Sequence, residues 1–326
     1  MKKFHIYAII CGFFLLCFLI WKIGPKDLAY NFKLLGWWLI PIVLLEGVAD
    51  IFHSLGWRAC FSEPLKNIPF FKIFCIKLAG SSINYLTPTL DLGGEVTKGT
   101  LLSIDHKGPG IATGIIIDKL SFAFSKLLFV VIGSLTLLWE INLSSAIRIG
   151  MFFGSAVLGA GMVGFLIVQR YGKLGSIVRW MVRHNIGGDL LRKVSDYISQ
   201  IDEELKDFYK RYPYGLIVSM FWHSLGFMCG IIQCWLFLWI LTDKPSIIAA
   251  SGIWLLGTWI DLVGFAIPTH IGVIEAGRVA VFKIMGFESS LGLTFGLALR
   301  IEQLFWAGIG LLIYVIYVYN KQTEEG

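Results

Sequence analysis

Apolar residues occur along this chain in long runs, and polar residues are confined mainly to the short stretches between them. A helix that crosses the ~30 Å hydrocarbon core of a bilayer needs about 20 predominantly apolar residues. Several of the runs reach that length, so the pattern predicts a polytopic all-α membrane protein. Eight apolar segments are predicted, at residues 5–21, 35–52, 69–86, 111–139, 146–169, 214–241, 247–267 and 291–319.

Two of these segments are interrupted. The third carries Lys77 and ends in the polar run 84–89, and the seventh stops at Pro268 before a short helix predicted at 273–285. Interrupted membrane helices are typical of sites where polar cargo crosses a bilayer. We therefore expect each of these two segments to form a re-entrant hairpin with the helix that follows it.

The loop charges favour this re-entrant topology over eight simple spans. Residues 170–211 contain nine Lys and Arg, which eight crossings from a cytoplasmic N-terminus would place outside, against the positive-inside tendency. With two re-entrant pairs, 17 loop cations lie inside and five lie outside. The charges thus predict about six full transmembrane helices plus two re-entrant helix pairs. Both termini are then cytoplasmic, in a cell (inner) membrane, and eight simple spans are the alternative.

The predicted topology also has a symmetry. Three full crossings separate the two hairpins, so they enter the bilayer from opposite sides, an arrangement typical of an inverted repeat. The whole chain, 1–326, is predicted to be a single integral membrane domain. Residues 170–212 are predicted to form a cytoplasmic amphipathic helical loop within it, because Leu191, Val194 and Ile198 recur at helical spacing among charged residues.

Composition argues against a soluble enzyme. The 326 residues are 56% hydrophobic and 15% charged, and the mean hydropathy is +0.73, which is more apolar surface than a soluble domain can hide. The net charge of +6 is accounted for by membrane topology, so no nucleic-acid partner is expected. Because the sequence shows no Walker-type loop, metal-ligand spacing or nucleophile–base set, we expect no cofactor, no metal and no enzymatic activity.

The first break places paired glycines beside charge. Gly93 and Gly94 allow close approach of helices, and freed N–H groups at the start of a helix near Glu95 suit a phosphate. Glu95 and Lys98 are three residues apart and share a helical face, so a self-neutralising ion pair is the structural alternative. Given their depth in the membrane, we favour a substrate-binding role for all four residues.

Asp118 and Lys119 lie well inside the fourth apolar segment. Adjacent residues on a helix do not face one another, so each needs a partner elsewhere. We expect Lys119 to meet Glu95 or a lipid phosphate, and Asp118 to meet Lys98. Charge within a membrane segment indicates a functional site, with snorkelling towards the headgroups as the alternative.

The second break has a similar composition. Pro268 stops one helix, and Gly272 gives the backbone room before the next. Glu275 and Arg278 repeat the acid–base spacing of the first break. Arg300 is the most deeply placed cation of the chain, and Glu275 is its expected partner. Gly272, Glu275 and Arg300 are therefore predicted to bind substrate.

These motifs resemble those of the lysylphosphatidylglycerol synthase transmembrane-region family of flippase-like membrane proteins. The resemblance rests on residues 93–98 with the Asp118–Lys119 turn, and on residues 270–277 with Arg300. It implies translocation of a lipid, or of a lipid-linked headgroup, between leaflets. We expect a stand-alone member without the aminoacyl-transferase domain of the full synthases.

The function expected first is a lipid flippase. It would move an anionic or aminoacylated phospholipid, or a polyprenyl-phosphate-linked lipid, gripping the phosphate with Lys98, Lys119 and Arg300. Glu95 and Glu275 would orient these cations or bind an amino-bearing headgroup. Two alternatives stay open: a membrane-embedded glycosyl or acyl transferase with a carboxylate as base, and a non-transporting subunit that recruits a cytoplasmic lipid synthase or glycosyltransferase.

Overall fold

All regular structure in the described part of the chain is helical, which confirms the all-α prediction. A computed structural model describes residues 2–63, 65–87, 92–106, 110–140, 144–170, 180, 182–184, 207–208, 210–212, 214–242, 245–264 and 271–325. The first half contains α1 (Lys2–Ile23), α2 (Pro25–Leu35), α3 (Leu39–Ala59), α4 (Phe70–Leu86), α5 (Leu92–Leu102), α6 (Gly110–Glu140) and α7 (Ser145–Arg170). The second half contains α8 (Gly215–Leu241), α9 (Ile247–Gly264), α10 (Val273–Ile284) and α11 (Ser289–Glu325).

Four helical stretches are long and apolar enough to cross a membrane, namely Pro25–Ala59, Ser145–Gly164, Gly215–Leu241 and Ser289–Tyr319. Two further helical stretches are apolar but shorter, Phe13–Ile23 and Ile247–Asp261. Large apolar side chains on these helices point outward: Phe153 is 63% exposed and Leu312 is 65% exposed. Lipid tails would cover such a surface, so the chain is a polytopic membrane protein.

Helix α2 was not predicted from the hydrophobic pattern, because its polar residues interrupt the apolar run. Pro25 occupies its first turn, where the missing N–H costs nothing. Gly36 ends it with φ +44°, a conformation that favours glycine. The 3₁₀ turn Gly36–Trp38 then joins α2 to α3, so the second apolar span begins earlier than predicted.

The two interrupted segments form pairs of short helices, here called the first helix pair (α4 and α5) and the second helix pair (α9 and α10). Helix α5 has 11 residues and α10 has 12. At 1.5 Å per residue they extend about 16–18 Å, too short to cross a hydrocarbon core of ~30 Å. Each packs against its preceding helix. These lengths agree with two hairpins, and their entering from opposite sides of a bilayer stays a prediction.

Helices α3 and α8 run antiparallel and pack along their whole length. Trp38, just before α3, meets Trp239 near the end of α8, with ring centroids 5.3 Å apart. Just past the other end of α3, Cys60 Sγ lies 3.3 Å from Ser219 Oγ. Each of these helices is followed by a helix pair and a long helix, α6 or α11. The units α3–α6 and α8–α11 thus have the same order of elements, and they meet through the antiparallel helices α3 and α8. This arrangement supports the predicted inverted repeat.

Each helix pair has its own buried apolar cluster. The cluster at the first pair includes Trp57, Phe61, Ile76 and Leu101. The cluster at the second pair includes Phe237, Phe282 and Phe295. Helix α11 packs against both α4 and α10, so it is the element that links the two pairs.

The predicted amphipathic loop at 170–212 lies mostly outside the described residues. Its helical character and its cytoplasmic location therefore stay predictions, as does the single-domain organisation of residues 1–326.

Candidate functional site

Gly94 brings α5 into backbone contact with Gly80 of α4. A Cβ on Gly80 would lie 2.9 Å from the Gly94 carbonyl oxygen, and a Cβ on Gly94 would clash with the Gly80 carbonyl. The Gly94 N–H donates to Asn84 Oδ1 at 2.5 Å, and the Gly93 carbonyl accepts from the Thr97 hydroxyl. The expectation of freed N–H groups for a phosphate is therefore wrong at Gly94, whose N–H is used within the protein. Gly94 acts here through close helix packing.

Four charged side chains from α5 and α6 form one network beside this contact. Lys98 Nζ lies 3.0 Å from Glu95 Oε2 and 3.6 Å from Asp118 Oδ2. Lys119 Nζ lies 3.4 Å from Glu95 Oε1. Both pairings expected from the sequence are present, and the four charges balance. Lys98 and Asp118 are buried, whereas the Lys119 side chain is 41% exposed and marks the open side of the network.

Two histidines that sequence reasoning missed close the inner end of the network. His223 Nε2 lies 3.1 Å from Asp118 Oδ1, and His223 Nδ1 lies 3.0 Å from His53 Nδ1. Both rings are buried, and Phe122 packs against each of them. An Nδ1–Nδ1 contact needs one donor and one acceptor. The contacts are satisfied when His223 donates from Nε2 to Asp118 and accepts at Nδ1 from His53.

A repeated tetrapeptide is the sequence signal that would have found these histidines. His–Ser–Leu–Gly occurs at residues 53–56 on α3 and again at 223–226 on α8. A Cβ on Gly56 would lie 2.8 Å from the His223 ring, and a Cβ on Gly226 would lie 2.5 Å from the His53 ring. Each histidine thus packs on the glycine of the other copy, the reciprocal contact expected about a two-fold axis.

Glu275 connects the second helix pair to α11. Its side chain is fully buried, and Arg300 Nε donates to Glu275 Oε1 at 2.9 Å. The Gly272 N–H donates to the other carboxylate oxygen at 2.8 Å, which caps the start of α10. Gly272 has φ +76°, a backbone conformation that favours glycine. The predicted pair of Glu275 and Arg300 is therefore present.

Arg300 also reaches the first helix pair. Its Nη1 donates to the Tyr85 hydroxyl at 3.1 Å, near the end of α4, and its side chain is 12% exposed. One guanidinium on α11 thus joins the end of α4 to the first turn of α10. Glu302, two residues further along, accepts instead from Gln233 of α8, because residues two apart on a helix point in different directions.

Arg278 does not pair with Glu275, although their spacing matches that of Glu95 and Lys98. Its Nη2 donates to Asp261 Oδ2 of α9 at 2.7 Å. The Glu275 oxygens instead accept from the Gly272 N–H and from Arg300 Nε. The repeated spacing therefore predicted a buried cation at Arg278 but did not identify Asp261 as its partner.

The two breaks share one further relation. Lys119 follows Glu95 by 24 residues, and Arg300 follows Glu275 by 25. In each half, a glutamate in the first turn or turns of the second short helix pairs with a cation of the following long helix. Within the described residues, no group of three His, Cys, Asp or Glu is placed to hold a metal ion.

Comparison with protein families gives one match: the model described as "Lysylphosphatidylglycerol synthase TM region" matches residues 5–310. That range includes both helix pairs and every charged residue described above. Comparison with curated proteins and with solved structures found no match.

Proposed function

The chain belongs to the lysylphosphatidylglycerol synthase TM-region family, a membrane family of lipid-related function, and from this premise we propose that it is a lipid flippase. It moves an anionic or aminoacylated phospholipid, or a polyprenyl-phosphate-linked lipid, between the leaflets of the cytoplasmic membrane. Both termini face the cytoplasm. The chain performs no covalent chemistry on its cargo and uses no cofactor.

The position of Arg300 is the observation that carries this proposal. A charge in a membrane segment is costly and marks a path for polar cargo. Arg300 lies between the facing ends of the two helix pairs and is bonded to both. Glu275 fixes the orientation of the guanidinium, while the bond to the neutral Tyr85 hydroxyl is the weaker one. A cargo phosphate that replaces Tyr85 would bind Arg300 and break its hydrogen bond to the first helix pair.

The network at the first helix pair supports a second contact with the same headgroup. Lys119 is half exposed and lies at its open side, whereas Lys98 is buried deeper. A phosphate can meet Lys119 first, and the ammonium of an aminoacylated lipid can take the place of Lys119 at Glu95. A headgroup that carries both a phosphate and an ammonium keeps the network neutral, because its phosphate pairs with Lys119 and its ammonium pairs with Glu95.

One observation favours the transferase alternative. Asp118, His223 and His53 form an acid–base chain of the kind that activates a nucleophile. In the described part of the chain, however, no hydroxyl or thiol is hydrogen-bonded to either ring, and both rings are buried. Recruitment of a cytoplasmic synthase or glycosyltransferase through residues 170–212 remains a third proposal.

Leaflet exchange in proteoliposomes tests the flippase. The purified protein is reconstituted with headgroup-labelled phosphatidylglycerol, lysyl-phosphatidylglycerol or a polyprenyl-phosphate sugar, and inner-leaflet label is followed after the outer label is quenched. Arg300→Gln should slow exchange about tenfold or more, because one charge-assisted hydrogen bond contributes about 1.5–3 kcal/mol. Arg211→Gln is the matched control, since Arg211 is exposed and pairs only loosely with Asp207, at 3.9 Å.

The same assay separates the alternatives. Arg300→Lys keeps the charge but not the fork that reaches both partners, so it should recover exchange only in part. Equal exchange rates for wild type and Arg300→Gln would show that Arg300 is not part of the translocation site. A labelled lipid that is chemically converted, detected by mass spectrometry, would favour the transferase. Absence of exchange with all three lipids would contradict the flippase.

A further inference from the structure

Helix α3 carries acidic and histidine side chains in one line. Ile42, Glu46 and Asp50 follow each other at intervals of four residues, and His53 comes three residues later, so all four share one side of the helix. The exposed apolar residues of the same stretch lie on the opposite side: Leu44, Val48 and Ile51. At 1.5 Å per residue, Glu46 and His53 are about 10 Å apart along the helix axis. The set of Glu46, Asp50 and His53, here called the α3 line, therefore faces the protein interior.

Hydrogen bonds join both ends of the α3 line to other helices. At one end, Gln233 Nε2 of α8 donates to the Ile42 carbonyl at 2.7 Å and also to the Glu302 carboxylate of α11. At the other end, His53 Nδ1 lies 3.0 Å from His223 Nδ1, and His223 contacts the ion-pair network of the first helix pair. The α3 line thus connects Glu302 to that network.

Groups from four helices interact electrostatically with the two carboxylates of the α3 line. They are Lys77 of α4, Lys98 of α5, Cys229 of α8 and Glu302 of α11. Of these four, only the lysines are cations, and Lys98 already pairs with carboxylates of the first helix pair. Lys77 is 6% exposed and forms no hydrogen bond or ion pair with any other described residue. A buried cation in this condition is rare and typical of a functional site.

The interior around the α3 line has more acidic than basic groups. Together with Glu302 and the network of the first helix pair, five carboxylates lie among three lysines, so two negative charges are in excess. The carboxylates are Glu46, Asp50, Glu95, Asp118 and Glu302, and the lysines are Lys77, Lys98 and Lys119. An uncompensated charge is costly to bury. Within the described residues no group of three His, Cys, Asp or Glu is placed to hold a metal ion, so single carboxylates spaced along a helix suit protons.

From the α3 line, the unpaired Lys77 and this excess of carboxylates, we infer that the protein takes up protons at Glu302 and along the α3 line and couples their movement to lipid translocation. The proton sites rest on these contacts alone. The coupling rests in addition on the proposed function. Chains of acidic and histidine side chains in membrane helices are the usual proton relays of pumps and transporters.

The histidine contact supplies the last part of the route. Asp50 and His53 lie one helical turn apart, a separation that a water molecule can bridge. When His53 gains a proton at Nε2, its Nδ1 proton moves to His223 Nδ1, and the His223 Nε2 proton moves to Asp118. Each ring gains one proton and loses one, so both end neutral and Asp118 holds the added proton. A neutral Asp118 no longer forms an ion pair with Lys98, which is then free to bind a cargo phosphate.

Infrared difference spectroscopy of the purified full-length protein in detergent tests the proton sites without any lipid cargo. A pH titration follows the carbonyl band of protonated carboxylic acids, which is distinct from the bands of carboxylates. Wild type should show this band near neutral pH, and Glu302→Gln and Glu46→Gln should each remove part of it. Asp207→Asn is the matched control, because the Asp207 side chain is 70% exposed, and it should leave the band unchanged.

Three results would overturn the proton sites. One is a wild-type spectrum without the band, and another is a band that both variants retain in full. The third is loss of the band on addition of sodium chloride but not of choline chloride, which would assign the sites to sodium. Because Glu46 is partly exposed, Glu46→Gln should fold and keeps the test informative if Glu302→Gln folds poorly.

The distribution of labelled lipid between the leaflets tests the coupling, with the same three lipids in proteoliposomes. Under a gradient of about one pH unit, a lipid that moves with one proton should become up to about tenfold more abundant in one leaflet. Glu302→Gln and Glu46→Gln should lose this asymmetry, and Asp207→Asn should keep it. Exchange by wild type that leaves the leaflets equal, or an asymmetry that both variants retain, would overturn the coupling. Absence of any exchange would contradict the flippase, and the infrared band would still decide whether the proton sites exist.

Discussion

The first helix pair and the second helix pair are built from the same parts and differ in how fully their charges are paired. Each brings two short helices together over glycine, and each pairs a glutamate of its second helix with a cation on the following long helix. In the first pair, Lys98 has two carboxylates within 3.6 Å. In the second, Arg278 has one carboxylate and two buried nitrogens without a partner among the described residues.

The difference separates two ways of holding charge in a membrane. Glu95 is 14% exposed and shares two lysines, one of them half exposed, so its partners can exchange with cargo. Glu275 is fully buried and uses both oxygens within the protein, so it fastens α10 to α11. We therefore infer that the ion pairs of the first helix pair can exchange partners with cargo. Glu275 instead holds Arg300 in a fixed orientation.

Replacing the two glutamates gives the largest expected contrast. Glu275→Ala leaves Arg300 without its carboxylate and the Gly272 N–H uncapped, and removal of one partner from a buried pair costs about 3–5 kcal/mol. Glu95→Ala leaves Lys98 with Asp118 and Lys119 near solvent, so we expect a loss of about 1 kcal/mol. The free energy of unfolding in mixed detergent micelles measures both. Equal losses would mean that the two glutamates support the fold in the same way.

Glycine substitutions test the close helix contacts, with the next largest effects. Gly94→Ala drives a Cβ into the rigid Gly80 carbonyl and Asn84, and overpacking of this kind costs about 1–3 kcal/mol or more. Gly277→Ala meets the Ile260 side chain at 2.8 Å, which can rotate away, so its cost should be smaller. Gly99→Ala is the control, because its nearest contact, Ile115, is an ordinary 3.5 Å away. A ranking in which Gly277→Ala is the most harmful would contradict the expectation that a clash with backbone costs more than a clash with a side chain.

Ion pairs between residues close in sequence could be predicted from the sequence. Partners that depend on how distant helices pack could not. The pairing of Glu95 with Lys98 follows from helical spacing, and the burial of charge made Glu275 and Arg300 natural partners. The Asp261–Arg278 pair was not predictable, because it depends on how α9 packs against α10. The histidines lay in apolar helices without any periodic signal, and only comparison of the two halves reveals them.

Substitutions at the contact between His53 and His223 test whether α3 and α8 contribute equally to it. We expect a moderate effect on the free energy of unfolding. His53 and His223 contribute equally to one hydrogen bond, but only His223 also holds Asp118. His53→Gln should therefore cost less than His223→Gln, and the double-mutant cycle should give a coupling of about 1 kcal/mol. Unfolding free energies of the four proteins measure it. If His223→Gln costs no more than His53→Gln, the hydrogen bond between His223 and Asp118 does not contribute to stability.

Lys119 should give the smallest change in stability and the clearest contrast with its counterpart Arg300. Lys119 is 41% exposed and Arg300 is 12% exposed, although both pair with the glutamate of their helix pair. An exposed ion pair contributes about 0–1 kcal/mol, so Lys119→Gln should unfold within about 0.5 kcal/mol of wild type. Its effect should instead appear in lipid exchange, as a few-fold loss in proteoliposomes at low salt that diminishes as salt screens the charge. A large loss of stability in this variant would show that Lys119 supports the fold as Arg300 does, and the two helix pairs would then be alike in function as well as in construction.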